Sequence, residues 1–73
     1  MENKIVLYSS NSCGVCKMLK MMLLNSNVEF EVNQDENYMR KNGILHIPTL
    51  EVNGNRMNAS EAVKWIKGLV SKF

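Results

Sequence analysis

The sequence holds a single proline and two cysteines, and no apolar run approaches the ~18 to 20 residues that a helical membrane span requires. It contains no internal repeat, no low-complexity tract and no Pro/Gly/Ser-rich linker, so every segment is expected to belong to one packed unit, a single domain over 1–73. Nine Lys plus Arg stand against seven Asp plus Glu, a net charge of +2, so the dense basic face of a nucleic-acid binder is also missing. Neither a nucleic-acid nor a membrane partner is expected, and a monomer is. The opening Met1-Glu2-Asn3-Lys4 leads into a short strand and lacks the apolar stretch of a signal peptide, which points to a cytoplasmic location.

The scarcity of cysteine is itself informative. Cys13 and Cys16 stand three residues apart, and a bridge closing so small a loop removes little unfolded-state entropy, so it is a poor staple. In a compartment where thiols are kept reduced, a Cys-x-x-Cys pair is more often catalytic or metal-binding than structural. The pair therefore asks for a chemical explanation.

Read in order, the chain alternates strands and helices. Ile5-Val6-Leu7-Tyr8 is a buried strand running into the turn-formers Ser9 to Ser12. Val15, Met18, Leu19, Met22 and Leu23 form one apolar stripe at helical spacing, with Lys17 and Lys20 off it, and Asn25-Ser26-Asn27 ends that helix. Met21 and Leu24 lie outside the stripe and, with Val15, offer apolar contact area for a partner. Val28, Phe30 and Val32 alternate with polar residues, which predicts a strand with one buried face. A short helix follows, capped by Asp35 or Asn33, with Tyr38 and Met39 supplying its apolar contacts and Asn42-Gly43 as its stop. After Pro48 comes a strand over Thr49–Val52, an Asn53-Gly54 hairpin, a return strand at Arg56-Met57 and a last helix capped by Asn58 or Ser60. Ala62, Val63, Ile66, Leu69, Val70 and Phe73 would form its buried side, Trp65 would cover the core edge, and Lys64, Lys67 and Lys72 would be solvated. The order βαβαββα gives a four-stranded mixed α/β sheet with helices on both faces, the shortest form of the thioredoxin-like fold.

In that arrangement Cys13 emerges where the first strand hands over to the first helix. With Ser12 as N-cap, Cys13 takes the first helical position, where unpaired N–H groups and the helix dipole stabilise a thiolate; Lys17 and Lys20 add positive charge. Cys16 lies one turn on, on the same side, so it can reach back to the first sulfur. Cys13 is then the nucleophile and Cys16 the resolving thiol, with no bound cofactor, the redox-active group being the Cys13–Cys16 disulfide itself. Gly14 and Val15 between them carry no proline or charge. A metal or iron–sulfur module is the main alternative, since two thiolates are half of a tetrahedral site, but His46 is the only other ligand of that type and no metal site is expected in one chain. A non-catalytic interaction domain is the third reading. His46 is either an imidazole serving the thiols or a polar residue of a contact surface, the second being preferred; Tyr8 is divided between closing the core and lining the groove.

Over nearly its whole length the sequence resembles the glutaredoxin branch of the thioredoxin-like superfamily. Tyr8 stands five residues before Cys13, as in the family's Tyr-Thr-Lys-Pro-x-Cys-Pro-Tyr-Cys segment. Ile47-Pro48-Thr49 resembles its Val-Pro-x signature with a cis proline, and Val52-Asn53-Gly54 follows at the family's spacing. Gly43 is placed as in redoxins that feed electrons to ribonucleotide reductase, and Ile47-Pro48-Thr49-Leu50 resembles thioredoxin itself. The resemblance implies a thiol–disulfide oxidoreductase acting on protein disulfides, with Pro48 against the cysteine pair and Ile47 offering its backbone to an extended substrate. Tyr8, Gly14 and Val15 would join the substrate-binding surface, and Ser12, Lys17 and His46 would modulate it. The family's pattern for glutathione is altered: its lysine before the cysteines is Ser10, the residue at the cis-proline partner position is His46, and its Gly-Gly-x-Asp-Asp segment is Asn58-Ala59-Ser60-Glu61-Ala62. The helix start at Ser60, with Arg56 or Lys17, would be what remains for an anion. A thioredoxin reductase or another dithiol is thus expected as electron donor ahead of glutathione.

Overall fold

The computed structural model describes residues 4 to 70, with side chains to Leu69. Seven elements follow one another: β1 (Ile5–Tyr8), α1 (Gly14–Asn25), β2 (Glu31–Asn33), α2 (Glu36–Lys41), β3 (Thr49–Val52), β4 (Asn55–Met57) and α3 (Ala59–Val70). The strands form one sheet in the order β2-β1-β3-β4. β1 runs parallel to β2, pairing Leu7 with Val32, and antiparallel to β3, pairing Leu7 with Leu50 and Tyr8 with Thr49. β3 and β4 close the antiparallel hairpin through Asn53 and Gly54, whose φ values of 52° and 88° are the left-handed pair that a tight two-residue turn needs.

Because successive strand residues point to opposite faces, β1 feeds two cores. Ile5 and Leu7 join Leu19 and Leu23 of α1, Leu50 and Val52 of β3, and Ala62 and Ile66 of α3. Val6 and Tyr8 join Met39 of α2 and Ile44 on the other face. The result is a four-stranded mixed sheet covered on both sides, the thioredoxin-like fold. Trp65 and Val63 pack against the larger core, and Lys64 and Lys67 are exposed. Phe73, Lys72 and the side chain of Val70 lie outside the described residues.

Three local expectations are revised. The buried row of α1 is Cys16, Leu19 and Leu23, not the stripe beginning at Val15, and Val15 and Met18 face outward. The cause is that Cys16 continues the i, i+3, i+7 row of the two leucines, which rotates the helix so that its neighbours turn away from the sheet. Val32 is exposed because β2 is a three-residue strand at the sheet margin. Of the two caps offered for α3, Asn58 serves: its Oδ1 accepts from the Glu61 N–H at 2.9 Å, while the Asn58 N–H donates to Glu61 Oε1 at 3.1 Å, a reciprocal capping box. Asp35 likewise caps α2 by accepting the Tyr38 N–H, and Gly43, at φ 73°, ends it.

Candidate functional site

The pairing of Tyr8 with Thr49 brings the exit of β1 and the entry of β3 to one end of the sheet. From there the Ser9–Ser12 loop leads to Cys13, and Pro48 immediately precedes β3, so topology assembles the cysteine pair and the proline segment at the same pole. The Ile47–Pro48 peptide is cis. The Thr49 hydroxyl donates to the His46 carbonyl at 2.6 Å, which fastens the turn carrying Ile47.

Cys13 and Cys16 are joined by a disulfide, with Cα atoms 5.3 Å apart. Cys13 itself, in an extended conformation, is the N-cap of α1, and its sulfur accepts the Cys16 N–H at 3.1 Å. Ser12 is therefore not the cap; it is exposed, its hydroxyl 3.4 Å from that of Ser10. The Cys13 sulfur thus sits at the N-terminal end of α1, in contact with one of the N–H groups that a helix N-terminus leaves unpaired. Cys13 is half-buried and Cys16 buried, so one sulfur is accessible and the other lies behind it.

Around the pair, Gly14, Val15 and Lys17 are exposed on the first turn of α1, and Pro48 is buried between exposed Ile47 and buried Thr49. A cleft of about 260 Å³ between the Ser9–Ser10 segment, α2 and the loop before Pro48 is lined by Ser9, Ser10, Arg40, Leu45, His46 and Ile47, among others, and by neither cysteine. His46 is exposed and forms part of that wall. Tyr8 does not line the cleft: at 2% exposure it belongs to the core, its ring stacked on Tyr38 with centroids 6.2 Å apart. Burial, the nearby Glu51 carboxylate and a hydrogen bond with Tyr38 push its phenol up to about 12. Arg56 is committed elsewhere, its Nε donating to Glu51 Oε1 at 3.1 Å on the face of the sheet. At the start of α3 the Glu61 N–H is taken by Asn58 Oδ1.

Sequence reasoning missed Arg40 and Leu45. Arg40 pairs with Glu36 at 3.9 Å across one exposed turn, and that i,i+4 spacing was legible. Leu45 gives no sequence signal for being the most exposed of the large apolar residues among those described, at 79%. A wider groove of about 820 Å³ lies at the other pole, between Lys20 and Leu24 of α1 and Val28 and Phe30 before β2, and touches neither cysteine. Among the described residues no cluster of three or more His, Cys, Asp or Glu is placed to hold a metal ion, and no helix is long and apolar enough to cross a membrane.

Comparison with known proteins agrees with this geometry. No curated protein matches the chain. Among solved structures, the one described as "C- Orthorombic NaGST1" superposes with a TM-score of 0.65 at 20% identity over 97% of this chain, which shows the fold alone. The chain spans only 36% of that structure's length. The sequence model of the family described as Glutaredoxin matches residues 5–57, from the first core strand through the cysteine pair and the cis proline to the end of the hairpin. The matched segment holds both cysteines of the disulfide, and the chain belongs to the glutaredoxin family.

Proposed function

We propose that the chain is a dithiol–disulfide oxidoreductase that reduces protein disulfides. The observation that carries this reading is the asymmetry of the pair: an accessible Cys13 sulfur that caps α1 and accepts an N–H, in front of a buried Cys16 sulfur bonded to it. In the reduced protein the same N–H and the helix dipole stabilise a Cys13 thiolate, the nucleophilic form. That thiolate attacks one substrate sulfur; a new S–S bond forms as the substrate's breaks, and the departing sulfur leaves as a thiolate and takes a proton from water. Cys16, having lost its proton, attacks the Cys13 sulfur and displaces the second substrate thiolate. The substrate gains two electrons, and the protein is left with the Cys13–Cys16 disulfide.

Ile47 is exposed beside this pole, and its backbone makes no hydrogen bond among the described residues, which suits pairing with an extended substrate segment. Lys17 contributes positive charge near the helix start, and His46 contributes a polar wall to the cleft. Return of the two electrons is assigned to a flavin-dependent thioredoxin reductase or another protein dithiol ahead of glutathione, because Ser10, His46 and the 58–62 segment depart from the family's glutathione pattern and Arg56 is engaged with Glu51. Work as electron donor to ribonucleotide reductase, in the cytoplasm, is consistent with the Gly43 and Ile47-Pro48-Thr49 pattern.

Insulin reduction with dithiothreitol tests the core of this reading. Cys13→Ser should abolish it, and Cys16→Ser should accumulate mixed disulfides seen as added mass on nonreducing gels. An unchanged rate in Cys13→Ser would remove the nucleophile from its role. For the donor, reduction of the oxidised protein by an NADPH-driven thioredoxin reductase should exceed that by glutathione, and the reverse order would reassign it.

A further inference from the structure

The stretch from Leu45 to Pro48 carries the backbone offered to the substrate, and few interactions hold it. Upstream, the Ile44 N–H donates to the Met39 carbonyl at 2.8 Å, which ties the chain to α2. Downstream, Thr49 enters β3 in register with Tyr8 of β1. Between those anchors, residues 45 to 48 make a single hydrogen bond among the described residues, accepted by the His46 carbonyl from the Thr49 hydroxyl at 2.6 Å. Leu45, His46 and Ile47 are all exposed, so packing adds little restraint at those three positions.

That one bond acts directly on Ile47. The His46 C=O and the Ile47 N–H belong to the same planar trans peptide unit and point in opposite directions, so holding the carbonyl toward Thr49 aims the N–H away from it. The donor is itself well placed. Thr49 has its backbone in the β1–β3 ladder and is buried at 9% exposure, so its hydroxyl has a set position and little water to compete for it. A hydroxyl that reaches the carbonyl three residues back is a recognised local bond of threonine, and its length lies at the short end for O–H···O. The Ile47 N–H and C=O are used by no other group among the described residues, and a donor and acceptor with a fixed direction form a template for an extended chain.

We propose that Thr49 is a positioning residue for the substrate: its hydroxyl sets the peptide unit that presents the Ile47 N–H, and so makes the site favour disulfides carried on extended peptide segments. The inference rests on the disulfide-reductase reading above and adds to it the form of substrate that is preferred and the side chain that sets the preference. Thr49 touches neither the reacting sulfurs nor the substrate, and its effect passes through Ile47.

Three disulfides that each carry a mercaptoethanol half test it against the reduced protein. They are hydroxyethyl disulfide, an extended peptide with mercaptoethanol on its central cysteine, and the same peptide with esters replacing the amides on either side of that cysteine. An ester lacks the N–H and has a weaker carbonyl acceptor, so it pairs poorly with a backbone. Formation of the Cys13–Cys16 disulfide is followed by mass after acid quenching. The parent protein is expected to react about tenfold faster with the amide peptide than with the ester peptide, the worth of one or two ordinary hydrogen bonds. In Thr49→Val, which removes the donor, that ratio should fall close to one, and Thr49→Ser should restore it. A ratio taken within one protein cancels any general loss of stability, and Thr49→Ala repeats the comparison if the valine variant does not fold. A Thr49→Val ratio equal to the parent's would overturn the proposal, as would a parent ratio of one. A parent protein that is not oxidised even by hydroxyethyl disulfide would instead sink the reductase reading itself.

Discussion

The Cys13 sulfur occupies the capping position of α1, where it accepts the Cys16 N–H at 3.1 Å. Spacing on a helix points to Cys13 as the attacking and Cys16 as the resolving thiol of the proposed reaction, but not to which residue caps that helix. Ser12 has the stronger intrinsic capping preference, and tertiary placement of the Ser9–Ser12 loop gives the position to the Cys13 sulfur instead. Tyr8 was ambiguous for a related reason: an aromatic at a strand end suits a core or a groove equally, and only the parity of β1, with Val6 and Tyr8 on the α2 face, decides it. Its burial has a measurable consequence. The fold holds the phenol neutral up to about 12 against 10.0 when unperturbed, so between those values the unfolded chain has released a proton that the folded one keeps. Stability from this group is whole below pH 10 and is lost as pH rises toward 12. Urea midpoints measured from pH 8 to 12 should therefore fall less steeply in Tyr8→Phe than in the parent protein; parallel curves would contradict the shift.

At the scale of elements, boundaries marked by turn chemistry were legible and faces were less so. Asn42-Gly43, Asn53-Gly54 and Asp35 end or begin elements where left-handed φ or a capping carboxylate requires them. The face of α1 was misassigned because two apolar rows overlap along it, and Cys16, reserved for chemistry, also starts the buried one. β2 read as half-buried from its alternation, yet a marginal strand leaves Val32 in solvent whatever its pattern. The capping box of α3 supplies a prediction for this level. Asn58→Ala should lower stability by about 1 kcal/mol in chemical denaturation, since it removes the acceptor for the Glu61 N–H.

For the molecule as a whole, the sheet with its two unequal cores was deducible from element order, and the site followed from it, because parallel β1–β2 and antiparallel β1–β3 pairing force Cys13 and Pro48 to the same end. What the sequence withheld was part of the surface: the exposure of Met18 and of Leu45 depends on how elements rotate against each other. The larger core is thin enough for single residues to matter. Leu19 is fully buried among Ile5, Leu7, Leu50 and Ile66, so Leu19→Ala should cost about 3 kcal/mol, a large share of the stability of so small a domain. Met21→Gln, on the open side of the same helix, should stay within about 0.5 kcal/mol. Urea denaturation of the two variants side by side measures the contrast, and equal losses would mean that α1 is rotated from the orientation described.

The hairpin has a practical meaning of its own. The Lys4 N–H donates to Asn53 Oδ1 and the Asn53 N–H returns to the Lys4 carbonyl, both at 2.9 Å, so the start of β1 is stitched to the Asn53-Gly54 turn at the end of the sheet away from the cysteines. A dye, an affinity handle or an electrode linker attached at the neighbouring exposed Asn55 would sit at that far pole. The molecule comes with a side by which it can be held while the end that carries the cysteine pair stays free.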